Sequence, residues 1–314
     1  MTQLRKVAVS VGDLNGIGIQ LALQNHNTIC RFVDPLYCID KGMLEQAAQK
    51  LKFSIPNNFH TIENIAPAFN IAPGEVNSKS GTYAYASFKK AVGLAKDQKV
   101  DAICTLPIHK EAWKKAGVHY KGHTDALRDF FNKEAIMMLG SKNMYIALFT
   151  EHIPLRDVAS KINEKDLTRF FVNFYHAIRP ESTVAVLGLN PHAGDNGVLG
   201  NEEIVIKKAI DHATKIIEEK NPSIFTSPMV PDVAFTPNVR KNYKYYIAMY
   251  HDQGLTPLKA LFFDESINIS LNLPILRTSV DHGTAFDIAY KGVKLNHQSY
   301  LNAIGYITKH LKNY

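Results

Sequence analysis

Two rhythms of apolar and polar positions alternate along this chain: short runs that are apolar almost throughout, and longer stretches with an apolar residue at every third or fourth place. The first rhythm predicts strands buried on both faces, the second helices with one buried side. Residues 6–11 (KVAVSV) predict a strand, a glycine-containing turn follows, and a helix starts at about Ile17. A strand is predicted at 36–39 and a helix at 41–51. Ser80 is placed to cap a long helix reaching about Asp97, with Ala84, Phe88, Ala91 and Ala95 on one face. Next come a strand at 100–106, a helix at 110–116, and a helix at 124–131 that Thr124 can cap. Strands at 135–139 and 144–150 precede a helix at 164–178. The remainder reads as a strand at 183–189 (TVAVLGL), a long helix at 201–219, strands at 245–250 and 267–271, and a last helix at 298–312. Strands alternating with helices at this spacing predict an α/β fold on a largely parallel sheet.

With 314 residues the chain is too long for one small core and long enough for two modest ones. No internal repeat, low-complexity segment or Gly/Ser linker marks a joint. The composition, 46% apolar and 21% charged, is that of an ordinary globular protein. The apolar run after Arg5 and Lys6 is too short for the core of a signal peptide. No stretch approaches the roughly 18 apolar residues of a membrane span. The three cysteines, Cys30, Cys38 and Cys104, form no C-x-x-C pair, which fits a reducing compartment rather than a disulfide framework. A cytoplasmic protein is expected. The net charge of +7 admits nucleic acid, an acidic membrane surface or a small anion as partner. The basic residues are scattered, their densest patch being RKNYK at 240–244, so neither nucleic acid nor membrane is expected.

Punctuation carries the chemical signal. Polar and glycine clusters follow the predicted strands, where α/β proteins bind ligands, and there are five. The first is GDLNGIG at 12–18. Its glycines suit either close approach to a phosphate or a tight turn. The spacing is not the G-x-G-x-x-G dinucleotide fingerprint. It matches the short-chain dehydrogenase variant, and Tyr85 and Lys89 formally supply that family's Tyr-x-x-x-Lys. Tyr85 falls too early after the loop, on an amphipathic helix, so that fold is not expected. The second cluster is GHTD, where His123 and Thr124 at a helix start can hold an anion or hydroxyl, or simply be a surface histidine and a cap. The third, EHIPLR, sets His152 at a strand end before Pro154. The fourth, NPHAGDNG at 190–197, joins a rigid turn to a histidine, glycines and an aspartate. The fifth, YHDQGLTPLK at 250–259, is followed by Asn268 and by RTSVDHGT at 277–284. Three strand-end histidines, His152, His192 and His251, can converge as metal ligands. Neutral imidazole suits zinc, cobalt, iron or nickel, and three such ligands leave positions open for substrate.

Taken together, VGDLNGIG, LPIHKEA, GHTD, HIPLRDV, LNPHAGDNG, YHDQGLTPLK and LPILRTSVDHGTAFDIA resemble the 4-hydroxythreonine-4-phosphate dehydrogenase family, in its order, from Val11 to Ala289. The resemblance implies an isocitrate/isopropylmalate dehydrogenase-like fold of two α/β/α domains with a cleft between them. Residues 1–122 plus 256–314 would form the first, and 123–255 the second, carrying most of a homodimer interface with active sites shared between subunits. It implies a divalent metal (zinc, magnesium or cobalt) on His152, His192 and His251, and substrate contacts from His123, Thr124, Lys259, Asn268 and Arg277. NAD or NADP would be the cofactor, with Gly194, Asn196 and Gly197 as its contacts. The reaction implied is oxidation of the C3 hydroxyl of 4-phosphooxy-L-threonine and decarboxylation to 3-amino-2-oxopropyl phosphate, in vitamin B6 synthesis. Asp252 and Lys259 are the candidate proton acceptors. A related phosphorylated four-carbon acid, phosphothreonate or phosphoerythronate, is the alternative substrate. The chain departs from the family pattern in GHTD for GHTE, in a missing proline after Gly12-Asp13, and in HAGDNG for HAGEGG.

Overall fold

A computed structural model of the chain describes residues 4–217 and 224–311; the ends of two expected helices, 218–219 and 312, lie outside them. The chain divides into two units. One takes the residues up to Lys133, then Ile267–Ile269 and those from Leu273 onward; the other takes Glu134–Ser266 and Ser270–Asn272.

The first unit contains strands β1 (Arg5–Ser10), β2 (Val33–Cys38), β3 (His60–Thr61) and β4 (Ala102–Thr105). Its helices in this part are α1 (Gly18–Ile29), α2 (Lys41–Leu51), α3 (Ser78–Lys96), α4 (Lys110–Lys115) and α5 (His123–Phe131). The second unit supplies β5 (Ile136–Ser141), β6 (Met144–Leu148), β7 (Ala185–Val186) and β8 (Tyr245–Ala248). Its helices are α6 (Val158–Lys161), α7 (Glu164–Ile178), α8 (Glu202–Ile216), α9 (Pro231–Ala234), α10 (Pro237–Arg240) and α11 (His251–Phe262). Strand β9 (Ile267–Leu271) is split between the units, and β10 (Leu276–Val280) and α12 (Gln298–His310) return to the first.

In the first unit the sheet runs β3-β2-β1-β4-β10 with every pair parallel. β4 and β10 are buried at every position. Side chains alternate between faces along a strand, so both faces must be covered. Helix α3 packs on β1, β4 and β2, and α12 packs on β10 and β4. Gly81 of α3 is where two backbones meet: a Cβ there would come within 2.0 Å of the Ala112 carbonyl oxygen.

In the second unit the order is β5-β6-β8-β7; β5 and β6 form an antiparallel hairpin, and the other pairs are parallel. Its core gathers Leu139, Ile146, Leu148, Leu187, Tyr246, Leu255 and Leu258, and the last two place one side of α11 against the strands.

The expected boundary after residue 255 would cut through α11, and the one after 122 would assign α5 to the second unit. The structure keeps each helix whole. α5 stays with the first unit because His123 at its start is buried among Phe88 and Trp113. The expected cap Ser80 is corrected as well. Asn77 caps α3, its side chain accepting from the Ser80 N–H at 2.9 Å, while the Ser80 hydroxyl donates to Asp13 at 3.1 Å. Gly122, not Thr124, stands at the cap position, and Thr124 lies inside α5, buried.

Candidate active site

In the first unit the chemistry gathers around Arg277. The register pairs Arg277 of β10 with Ile103 of β4. Thr105, two residues on, faces the same way as Ile103, so a long side chain at 277 can reach it. The guanidinium is 2% exposed. It donates from Nη2 to the Thr105 hydroxyl oxygen at 2.6 Å and from Nε to the same oxygen at 3.2 Å. Nη1 donates to Oδ1 of Asn268 at 3.2 Å. These partners orient the cation with neutral oxygens. Burial brings its pKa down to about 10, so it stays positive at neutral pH.

His123 lies in the same unit. Phe88 and Trp113 flank its ring edge-on, at 4.7 and 5.4 Å between centroids. Its Nε2 is buried and without a hydrogen-bond partner. Burial, and then the charge of Arg277, hold its pKa well below the usual histidine value, so the ring is neutral. A neutral ring with an unmet buried nitrogen suits a ligand that brings the missing hydrogen bond. The glycine loop after β1 does something else. A Cβ on Gly12 would meet the Pro107 carbonyl oxygen at 2.1 Å, and one on Gly16 that of Thr284 at 2.7 Å. These glycines serve a tight turn and close packing, the plainer of their two readings. Tyr85 packs edge-on against Trp113, and Lys89 lies 4.9 Å over its ring.

In the second unit three neighbouring parallel strands, β6, β8 and β7, each lead into a histidine. His152 comes four residues after β6, His251 three after β8 and His192 six after β7. The rings of His152 and His251 stand 5.6 Å apart, tilted at 43°. Nδ1 of His251 lies 2.8 Å from Oδ1 of Asp252. A ring donating there presents Nε2 as a lone pair, the usual outer support of a metal-binding histidine. His192 does not join the pair: among the described residues no three His, Cys, Asp or Glu side chains form a metal-binding group. Its loop is wound left-handed, with positive φ at His192, Ala193, Gly194, Asp195 and Asn196 in succession. The donor set fits a divalent cation in type. Lys259 stands two turns along α11 from His251, its ammonium 5.3 Å over the Phe263 ring. Gly194 is buried, and Asn196 and Gly197 are exposed.

Sequence reasoning missed the supports of these side chains. Gln253 accepts from the Met249 N–H at 2.7 Å and donates to the Gly188 carbonyl oxygen at 2.6 Å, tying the ends of β8 and β7 together. The Thr150 hydroxyl donates to the Met249 carbonyl oxygen at 2.7 Å and ties in the end of β6. Glu203 accepts from the backbone N–H groups of Leu189 and Asn190, at 2.8 and 2.7 Å, just before the His192 loop. Thr105 went unnoticed because nothing local marks it; its partner lies 172 residues away.

An α/β protein with a buried guanidinium, a neutral buried histidine and strand-end histidines is one equipped for a small anionic ligand. The family model described as pyridoxal phosphate biosynthetic protein PdxA matches residues 31–307. The chain belongs to that family. It is 57% identical over 299 residues to the 4-hydroxythreonine-4-phosphate dehydrogenase of Sulfurimonas denitrificans, covering 95% of each chain. It is 50% identical to the enzyme of that name from Campylobacter fetus, covering 98% of each. The crystal structure of 4-hydroxythreonine-4-phosphate dehydrogenase from Klebsiella pneumoniae superposes with a TM-score of 0.80 over 100% of both chains, at 30% identity.

Proposed function

We propose that this chain oxidises the C3 hydroxyl of 4-phosphooxy-L-threonine with NAD or NADP, and that the resulting β-keto acid loses carbon dioxide to leave 3-amino-2-oxopropyl phosphate. The step belongs to pyridoxal phosphate synthesis. The observation that carries this reading is Arg277, a buried cation held ready by neutral oxygens, in a chain of this family. Its fork suits the substrate's phosphate or carboxylate, and Lys259 adds a compact second charge. His123, kept neutral by burial, offers Nε2 to a substrate polar group, with Thr124 beside it. His152, His192 and His251 would hold a divalent cation (zinc, magnesium or cobalt), and His192 would join by movement of its loop. When bound, that cation supplies positive charge at the C3 oxygen, which favours loss of the hydroxyl proton and then of carbon dioxide. The hydroxyl proton goes to Asp252 or to Lys259, in the latter case with Lys259 serving as base and not as charge. Asp252, 2.8 Å from Nδ1 of His251, also orients that ring. Backbone groups around Gly194, Asn196 and Gly197 would meet the nicotinamide cofactor, which accepts the hydride.

Exposed Leu155, Val198, Ile204 and Val233 of the second unit support a homodimer formed through that unit. The test of function is nicotinamide reduction by the purified chain with 4-phosphooxy-L-threonine, before and after chelation and cation add-back. Metal-dependent turnover is expected. Turnover of phosphothreonate or phosphoerythronate in its place would transfer the substrate assignment to that acid.

A further inference from the structure

The guanidinium of Arg277 has no freedom to choose its aim. Its stem rises from the second position of β10, and two of its nitrogens converge on one hydroxyl oxygen, that of Thr105. That hydroxyl is itself fixed. Thr105 is fully buried, its backbone is in register with Ser10 on one side and Ser279 on the other, and its carbonyl oxygen accepts from the Ser279 hydroxyl at 3.0 Å. A valine has the same shape as a threonine and would fill the same space without an acceptor. The acceptor, not the volume, is therefore the functional part of the residue.

We propose that Thr105 is a positioning residue for substrate binding: its hydroxyl sets the rotamer of Arg277 and so the direction in which the guanidinium faces the anionic end of the substrate. The proposal rests on the reading that Arg277 binds substrate. A displacement of about 1 Å in such a clamp is worth up to about a hundredfold in rate. The loss should fall on binding where that anion is the phosphate, which the reaction leaves unchanged and which therefore contributes alike to ground and transition states.

The experiment compares Thr105→Val, Thr105→Ser and Arg277→Lys with the unmodified full chain, measuring kcat and KM for 4-phosphooxy-L-threonine and thermal melting. Thr105→Val is expected to raise KM about tenfold or more with kcat changed far less, and Thr105→Ser, which keeps the oxygen, to restore KM to within about threefold. An unchanged KM in Thr105→Val overturns the proposal. So does an equal loss in the serine and valine variants, which would make the residue a packing element. Should Thr105→Val fail to fold, Thr105→Ala takes its place in the same contrast with serine. Arg277→Lys separates the two layers. If it raises KM and Thr105→Val does not, the positioning role alone is lost; if it leaves KM unchanged, the substrate role of Arg277 falls as well.

Discussion

Asp13 is a carboxyl group buried completely, with the Asn15 N–H and the Ser80 hydroxyl as donors. Burial raises its pKa to about 6, against the partial relief of those hydrogen bonds and of His109. The sign follows from linkage. The folded-state value lies above the unfolded one, so its contribution to stability is full below the unfolded value, near 4, and is lost as pH rises through about 6. A shift of roughly two units corresponds to about 3 kcal/mol. Melting temperature is expected to fall between pH 4 and pH 6 in the unmodified chain and to stay flatter in Asp13→Asn; equal slopes in the two would remove Asp13 as the cause. A second prediction at this scale concerns Ala193, whose φ of 51° sits in the left-handed region that suits glycine. Ala193→Gly should stabilise the protein by up to about 1 kcal/mol in a denaturant titration, and a clear loss would mean that the loop is not wound this way. The residue scale was legible where chemistry is local. The strand-end histidines and Arg277 announce themselves by type and punctuation. Ser80 misled because capping and a bond to a distant aspartate ask for the same side chain, and only the fold decides between them.

Helices with clean periodicity, 41–51 and 164–178, come out of the sequence with the bounds the structure gives them. Helix α11 does not, and its own residues explain why. It opens with His251, Asp252 and Gln253, and it holds Gly254 and Pro257, which read as a loop. Gly254 is there for room, since a Cβ would lie 2.6 Å from the Ile146 side chain. Leu255 and Leu258 supply enough burial to keep the helix despite the proline. Strand β10 was hidden in the same way, inside a segment read for its charges. At the start of α11 Gln253 bridges two strand ends. Gln253→Ala leaves the Met249 N–H and the Gly188 oxygen buried and unpaired, at a cost of on the order of 2–4 kcal/mol. A fall in melting temperature, with weaker retention of added zinc or cobalt, is expected. If metal retention is unchanged while stability falls, the bridge is a structural tie only.

At the scale of the molecule, the class of fold was readable because alternation of strands and helices survives local errors. The joints were not, because no linker composition marks them and the first unit is made of separated stretches. Two expectations are tested on the whole chain. Sedimentation should give the mass of a dimer at micromolar concentration, and charged substitutions at Val198 and Ile204 together should shift it toward monomer. Among the described residues no helix is long and apolar enough to cross a membrane.

The divided first unit also sets an order of events during synthesis. β4 has its partner β10 some 170 residues downstream, as the bond between Thr105 and Arg277 spans 172 positions. While the ribosome is still making the second unit, β1, β2 and β4 have nothing to close their edge, and an open parallel edge invites mispairing. The second unit, nearly continuous in sequence, is complete long before. A nascent chain stopped at residue 272 should therefore protect the second unit from protease while leaving the first open to digestion. The earlier half needs the last forty or so residues, including Arg277, before it can settle, so the residue proposed to face substrate is also among those that finish the fold.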